Sequence, residues 1–233
     1  MSGILKMHKK IIFTSGGTGG HIFPAINLMK YFSRKGYDVL LVTDKKGKNF
    51  LKKFSKFNSL IINVNSPINK NLIEKILSYS IILYSILKSI LILLKEKPVL
   101  VFGFGGYVSF PVSFVSKFFR IPLIIYENNY VLGRTNKYLL SFAKKLLIAT
   151  DTISNCPKKY KNKIVKVGHI LREDILNYSS FENKNKSDYF SILILGGSQG
   201  AEIFGKIVPE VIKRVQQFGY KINIYIYHKK MTI

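Results

Sequence analysis

The sequence is short of cysteine, of acidic residues and of the fingerprints of the common nucleotide folds. Its 233 residues include one cysteine, Cys156, which excludes an intrachain disulfide and fits a reducing compartment. Twelve Asp and Glu stand against 37 Lys and Arg, a formal net charge of +25. Such a surface attracts polyanions: nucleic acid, anionic lipid or phosphorylated substrates. Sign alone does not choose among them, and a Lys-, Ile- and Asn-rich composition of mutational origin gives the same balance. No helix-turn-helix, zinc-finger or aromatic RNA-binding signature occurs and the lysines are spread along the chain, so a nucleic-acid partner is not expected. The start, Met1 to Lys10, is short and mixed, with no basic segment leading into an apolar export run, and reads as that of a cytoplasmic chain. Begun at Gly17 or Gly103, a G-x-G-x-x-G fingerprint needs glycine at positions 22 and 108, where Ile22 and Val108 stand. No G-x-x-x-x-G-K-[ST] run is found either.

What is present is a globular alternation of strands and helices, with 47% hydrophobic residues. Lys9 to Thr14 reads as a strand, Gly16 to Gly20 as a turn and His21 to Lys35 as a helix with apolar residues on one face. Strands follow at Tyr37–Thr43 and Ser59–Asn65, then a long helix around Ile73–Lys95. "VLVFGFGGYVSFP" repeats the pattern of strand, glycine turn and helix, the helix near Ser109–Phe119. Pro122–Tyr126 is a strand ending in "ENN", Gly133–Ala143 a helix, and Leu146–Thr150 and Ile164–Val167 further strands. The polar, aperiodic Asn177–Asp188 reads as a linker. Beyond it come a strand at Tyr189–Leu195, a third glycine turn "GGSQGA", a helix at Glu202–Gln217 and a strand at Lys221–Tyr227. The expectation is an α/β protein with a mostly parallel, Rossmann-like N-terminal domain over 1–176 and the beginning of a second, incomplete Rossmann-like domain over 189–233.

Ile76 to Leu94 is about as long as a membrane span and carries Lys88 as its one charge. Glu74, Lys75, Ser78, Ser85, Lys88, Ser89 and Lys95 draw a thin polar stripe along this helix. Core packing, contact with a membrane surface and a membrane span all remain open for it.

In an open parallel sheet, ligands bind beyond the carboxyl ends of the strands, where following helices present their N-termini. Gly16–Gly20, Gly103–Gly106, Glu127–Asn129 and Gly196–Gly200 each follow a predicted strand and should share one crevice. Bare backbone and a helix start make a seat for phosphate or pyrophosphate. His21, at the first turn of a helix, should be held neutral by the dipole and so suit a general base, although a lone histidine can be merely structural. Glu127 is a second candidate base or a carboxylate for a substrate hydroxyl.

With "GGTGGHIFPA", "GFGGYVSFP", "ENNYVLGRTNK", "VGHILRED" and "LILGGSQGA" in order from Lys9 to about Tyr227, the chain resembles the MurG family of glycosyltransferases, GT-B enzymes of glycosyltransferase family 28. The resemblance implies two Rossmann-like domains and inverting transfer of N-acetylglucosamine from UDP-N-acetylglucosamine to undecaprenyl-pyrophosphoryl-muramyl-pentapeptide, in peptidoglycan synthesis. It implies donor contacts at Thr18, Gly19, Gly20, Asn129, Arg172 and Ser198, and acid/base chemistry at His21 and Glu127. Gly16, Gly17, Gly103, Gly105, Gly106 and Tyr107 would lie near the acceptor's pyrophosphate. No cofactor or metal is implied, and the expected location is peripheral, on the cytoplasmic face of the bacterial plasma membrane, with Ile76–Leu94 against its anionic surface.

The chain departs from the family where "HEQN" is replaced by Tyr126, Glu127, Asn128 and Asn129, and "GNPVR" by Gly168, His169, Ile170, Leu171 and Arg172. The family also continues past the strand ending near His228 through a donor loop and a ribose-gripping glutamate. The resemblance therefore carries the expectation of a truncated chain with strongly impaired transfer on its own. A remnant that binds the lipid precursor without turnover is the competing reading, and a polyanion-binding module ranks behind both.

Overall fold

The computed structural model describes residues 9–64, 71–176, 190–195 and 202–227. It divides into two compact units, Met1–Asn177 and Tyr178–Ile233. The 177–188 linker, the third glycine turn and Ser198 lie outside the described residues.

The first unit runs β1 (Lys10–Thr14), α1 (Gly19–Arg34), β2 (Asp38–Thr43), α2 (Lys45–Phe54), β3 (Asn58–Ile61), α3 (Leu72–Glu96), β4 (Leu100–Gly103), α4 (Phe110–Phe118), β5 (Leu123–Glu127), α5 (Arg134–Leu139), β6 (Lys145–Ile148), β7 (Ile164–Lys166) and α6 (Glu173–Leu176). A 3-10 turn at Tyr107–Ser109 leads into α4. The strands form one parallel sheet in the order β3-β2-β1-β4-β5-β6-β7. The chain walks outward from β1 to β3, then returns to β4 on the other side, so the order reverses between β1 and β4.

Side-chain alternation along the strands builds two cores. Ile11 and Phe13 of β1, with Val39 and Leu41 of β2, meet Ile22, Ala25, Ile26 and Met29 of α1. Ile12, Leu40 and Val42 point to the opposite face and join Val112 and Val115 of α4 and Leu139 of α5. Both faces are thus covered, as a parallel sheet requires.

Two elements differ from the sequence reading. α2 falls where no helix is expected: half of "KKGKNFLKKF" is lysine. Asp44 starts it by accepting the Gly47 amide at 2.7 Å, and Leu51 is its buried anchor. The polar stripe on α3 divides instead of lying together. Ser78, Ser85 and Ser89 are buried, while Leu83, Tyr84, Leu87 and Leu91 are exposed. The buried hydroxyls all find backbone acceptors: Ser78 donates to Glu74 O, Ser85 to Asn63 O at 2.6 Å and Ser89 to Ser85 O. α4 is the helix that neighbours α3.

Among the described residues the second unit holds β8 (Phe190–Leu195), α7 (Glu202–Gln217) and β9 (Ile222–Tyr227). The strands pair in parallel from Phe190↔Ile222 to Leu195↔Tyr227.

Candidate functional site

The loops after β1, β4 and β5 meet at the point where strand order reverses. Phe104 N donates to Thr14 O at 2.9 Å and Gly16 N to Gly105 O at 3.3 Å, joining the first two glycine loops. A Cβ on Gly106 would sit 3.3 Å from Gly16 Cα, and one on Gly105, where φ is +82°, 3.2 Å from the His21 ring. Glycine at these positions permits both the backbone conformation and the close approach. A Cβ on Gly20 would lie 3.9 Å from Asn128 Nδ2, which brings the third loop to the same place. Beneath the loops lies an aromatic floor: Phe102 and Phe104 stack at 5.0 Å, with Phe13 and Tyr126 beside them.

Not every bare amide is available to a ligand. Gly16 N is bonded to Gly105 O, and Gly17 N donates to Asp44 Oδ2 at 3.2 Å. These two glycines therefore join loops together. Gly19 and Gly20 open α1, where first-turn amides have no intrahelical acceptor. Thr18 caps the helix in extended conformation without a side-chain cap bond, and no acidic residue occupies the first turn. The positive end of the helix dipole thus faces the crevice uncompensated within that turn. Tyr107 begins the corresponding turn after Gly106, the latter at φ +76°.

His21 is partly buried, with Nδ1 2.7 Å from Thr18 Oγ1. Burial lowers the imidazole's pKa, and the charge of Glu127 pulls in the opposite direction. Desolvation, the leading cause, therefore favours the neutral ring. Glu127 is 3% exposed and fully engaged. Oε1 accepts from Asn129 N and Nδ2, both at 3.1 Å; Oε2 accepts from Gly133 N and Asn136 Nδ2, both at 2.9 Å. Four donors on one carboxylate make it the organiser of the 128–136 loop and fix the Asn129 side-chain amide against it.

Arg172 follows β7 and lays its guanidinium over Phe23 of α1 and Phe54 of α2, with Cζ 5.5 Å from each ring centre. Asp44, Asn136, Phe23 and Phe54 were not singled out from the sequence. Asp44 had a readable signal, an Asx residue at the start of a segment with Phe50, Leu51 and Phe54 on one face. The others had none, because their roles depend on partners distant in sequence.

Residues 11–148 match the glycosyltransferase family 28 N-terminal domain. The chain belongs to that family. Among curated relatives, it is 38% identical over 218 residues to the UDP-N-acetylglucosamine–N-acetylmuramyl-(pentapeptide) pyrophosphoryl-undecaprenol N-acetylglucosamine transferase of Rickettsia canadensis, and 38% identical over 220 residues to the transferase of the same name from Pelagibacter ubique. Each alignment covers 94% of this chain and 60% of the relative. The chain thus spans about 60% of the length of these family 28 relatives. Among solved structures, MurG of Acinetobacter baumannii superposes with a TM-score of 0.71 at 24% identity, covering 96% of this chain and 69% of that one. S. aureus MnaA bound to UDP superposes at 0.62 and 17% identity, covering 96% and 62%. These likenesses bear on fold, and they agree with a GT-B-type α/β architecture.

Proposed function

We propose that this family 28 chain carries the acceptor side of an inverting transfer of N-acetylglucosamine from UDP-N-acetylglucosamine to the 4-hydroxyl of undecaprenyl-pyrophosphoryl-muramyl-pentapeptide. The observation that carries the reading is the convergence of three loops, His21 and the α1 start at the switch point between β1 and β4. Neutral His21 takes the proton of the attacking hydroxyl, the oxygen bonds to the donor's anomeric carbon and the bond to UDP breaks on the opposite face. The open amides of Gly19 and Gly20, the α1 dipole and the turn from Gly105 to Tyr107 stabilise diphosphate charge. Glu127 acts through Asn129, whose side-chain amide it holds, and not as a second base. Gly103 ends β4 directly below this turn.

The second part of the proposal is a peripheral seat on the anionic cytoplasmic face of the plasma membrane. α3 is long and apolar enough to cross a membrane by length and composition. One face is nevertheless held against the protein by its buried serines, so the helix suits lying at the interface better than spanning it. Its outward leucines and tyrosines are exposed, as is Phe118 at the end of α4, and Lys75, Lys95, Lys117 and Arg120 of the same elements or their ends are exposed cations that suit an anionic surface.

Titration of the lipid precursor in anionic vesicles, alongside a UDP-release assay, tests the reading. Saturable precursor binding is expected in the wild type and in His21→Gln, with UDP release reduced about 10²- to 10⁴-fold by the substitution. Absence of precursor binding, or a His21→Gln variant as active as wild type, overturns it. Binding without UDP release in the wild type supports the competing precursor-binding reading.

A further inference from the structure

The positions at which this chain departs from its family's usual pattern are joined to one another in space. The Tyr126 ring is 1% exposed, but its hydroxyl reaches the far segment that ends in Arg172. It lies 3.2 Å from Asn128 Oδ1 and 3.2 Å from Gly168 O, either of which it can donate to, and it accepts the Ile170 amide at 3.3 Å. His169 Nδ1 is 3.0 Å from the same Asn128 oxygen. Tyr126, Asn128, His169 and Ile170 thus tie the end of β5 to the segment after β7.

We infer that Tyr126 is a positioning residue: its hydroxyl clamps Gly168–Arg172 to the end of β5 and so sets the Arg172 guanidinium on the Phe23–Phe54 pair beside the start of α1. A tyrosine in the β5 position supplies one donor and one acceptor at once, so it holds the segment by hydrogen bonds. That Arg172 then contacts the sugar-nucleotide donor rests on the transferase function proposed above; the placement of Arg172 does not.

The experiment is NMR on the full chain, wild type against Tyr126→Phe. In the wild type the Ile170 amide is protected from exchange, and the Arg172 Hδ and Hε resonances are displaced by ring currents from Phe23 and Phe54. Tyr126→Phe should speed exchange at Ile170 at least tenfold and return the Arg172 resonances toward free-arginine values, with amides of β1 and β2 unchanged. A loss of overall stability alone would not move the native Arg172 resonances. The inference is overturned if Ile170 is unprotected in the wild type, a result that needs no variant. It is equally overturned if Tyr126→Phe leaves both signals in place.

Discussion

Helices α1 and α3 flank the same sheet on opposite faces and use their apolar residues in opposite ways. α1 turns Ile22, Ala25, Ile26 and Met29 inward. α3 is richer in apolar residues, yet along much of its length it turns serines inward and leucines outward; Ile92 and Leu93 near its end are buried in the core, and the half-buried Ile86 and Ile90 pack against it. Hydrophobic content therefore measures the folding role of α1 but not that of α3. The apolar face of α3 is available for a partner that is not part of this fold, whereas its serines solve the packing problem with small volume and internally bonded hydroxyls.

The sharpest way to break this contrast is to change the outward leucines. Leu83→Ser, Leu87→Ser and Leu91→Ser together should reduce partition onto anionic vesicles on the order of 1,000-fold, from about 1.5 kcal/mol per leucine. The same triple variant should alter urea stability by no more than about 0.5 kcal/mol per site. Unchanged sedimentation with vesicles would remove the membrane role. On the other helix, Ile26→Ala should cost about 3 kcal/mol in the same urea titration, and a cost under about 1 kcal/mol would show that α1 is not the core helix described. Ser85→Leu places bulk at the inward face of α3 and removes the bond to Asn63 O; it should destabilise by about 1–3 kcal/mol despite raising hydrophobicity. A stabilised variant would refute the packing account.

The smallest effect concerns pH. Because burial lowers the His21 pKa in the folded state, the unfolded chain binds the proton more readily. The contribution to stability is complete above the ordinary value of 6.5 and is lost as pH falls below it. Stability of the wild type should therefore decline between pH 6.5 and 5 more than that of His21→Gln, as read from urea midpoints. Parallel curves would show that the ring is not held neutral by the fold.

Much of this architecture is written locally. β1, β2, β4 and β5 carry runs of apolar residues between glycine turns, and the sheet face of each residue follows from alternation. The crevice was legible for the same reason, since strand ends followed by glycine and a helix define it without long-range information. The inward face of α3 was not legible, because polarity and burial ordinarily oppose each other and the acceptor of Ser85 lies 22 residues earlier. Nor could the sequence show that Glu127 is saturated by Asn129, Gly133 and Asn136, or that the Gly17 amide is taken by Asp44. Both depend on which loop reaches which carboxylate.

Asp44 serves two masters: one oxygen starts α2 and the other restrains the glycine loop of the crevice. A Cβ on Gly17 would collide with that carboxylate and lie 2.6 Å from Gly47 N, so the two segments are in direct contact. Replacing Asp44 would therefore release the Gly17 amide and the first turn of α2 together. The cap of a lysine-rich helix and the restraint on a glycine loop thus hang on a single acidic side chain in a chain with few of them.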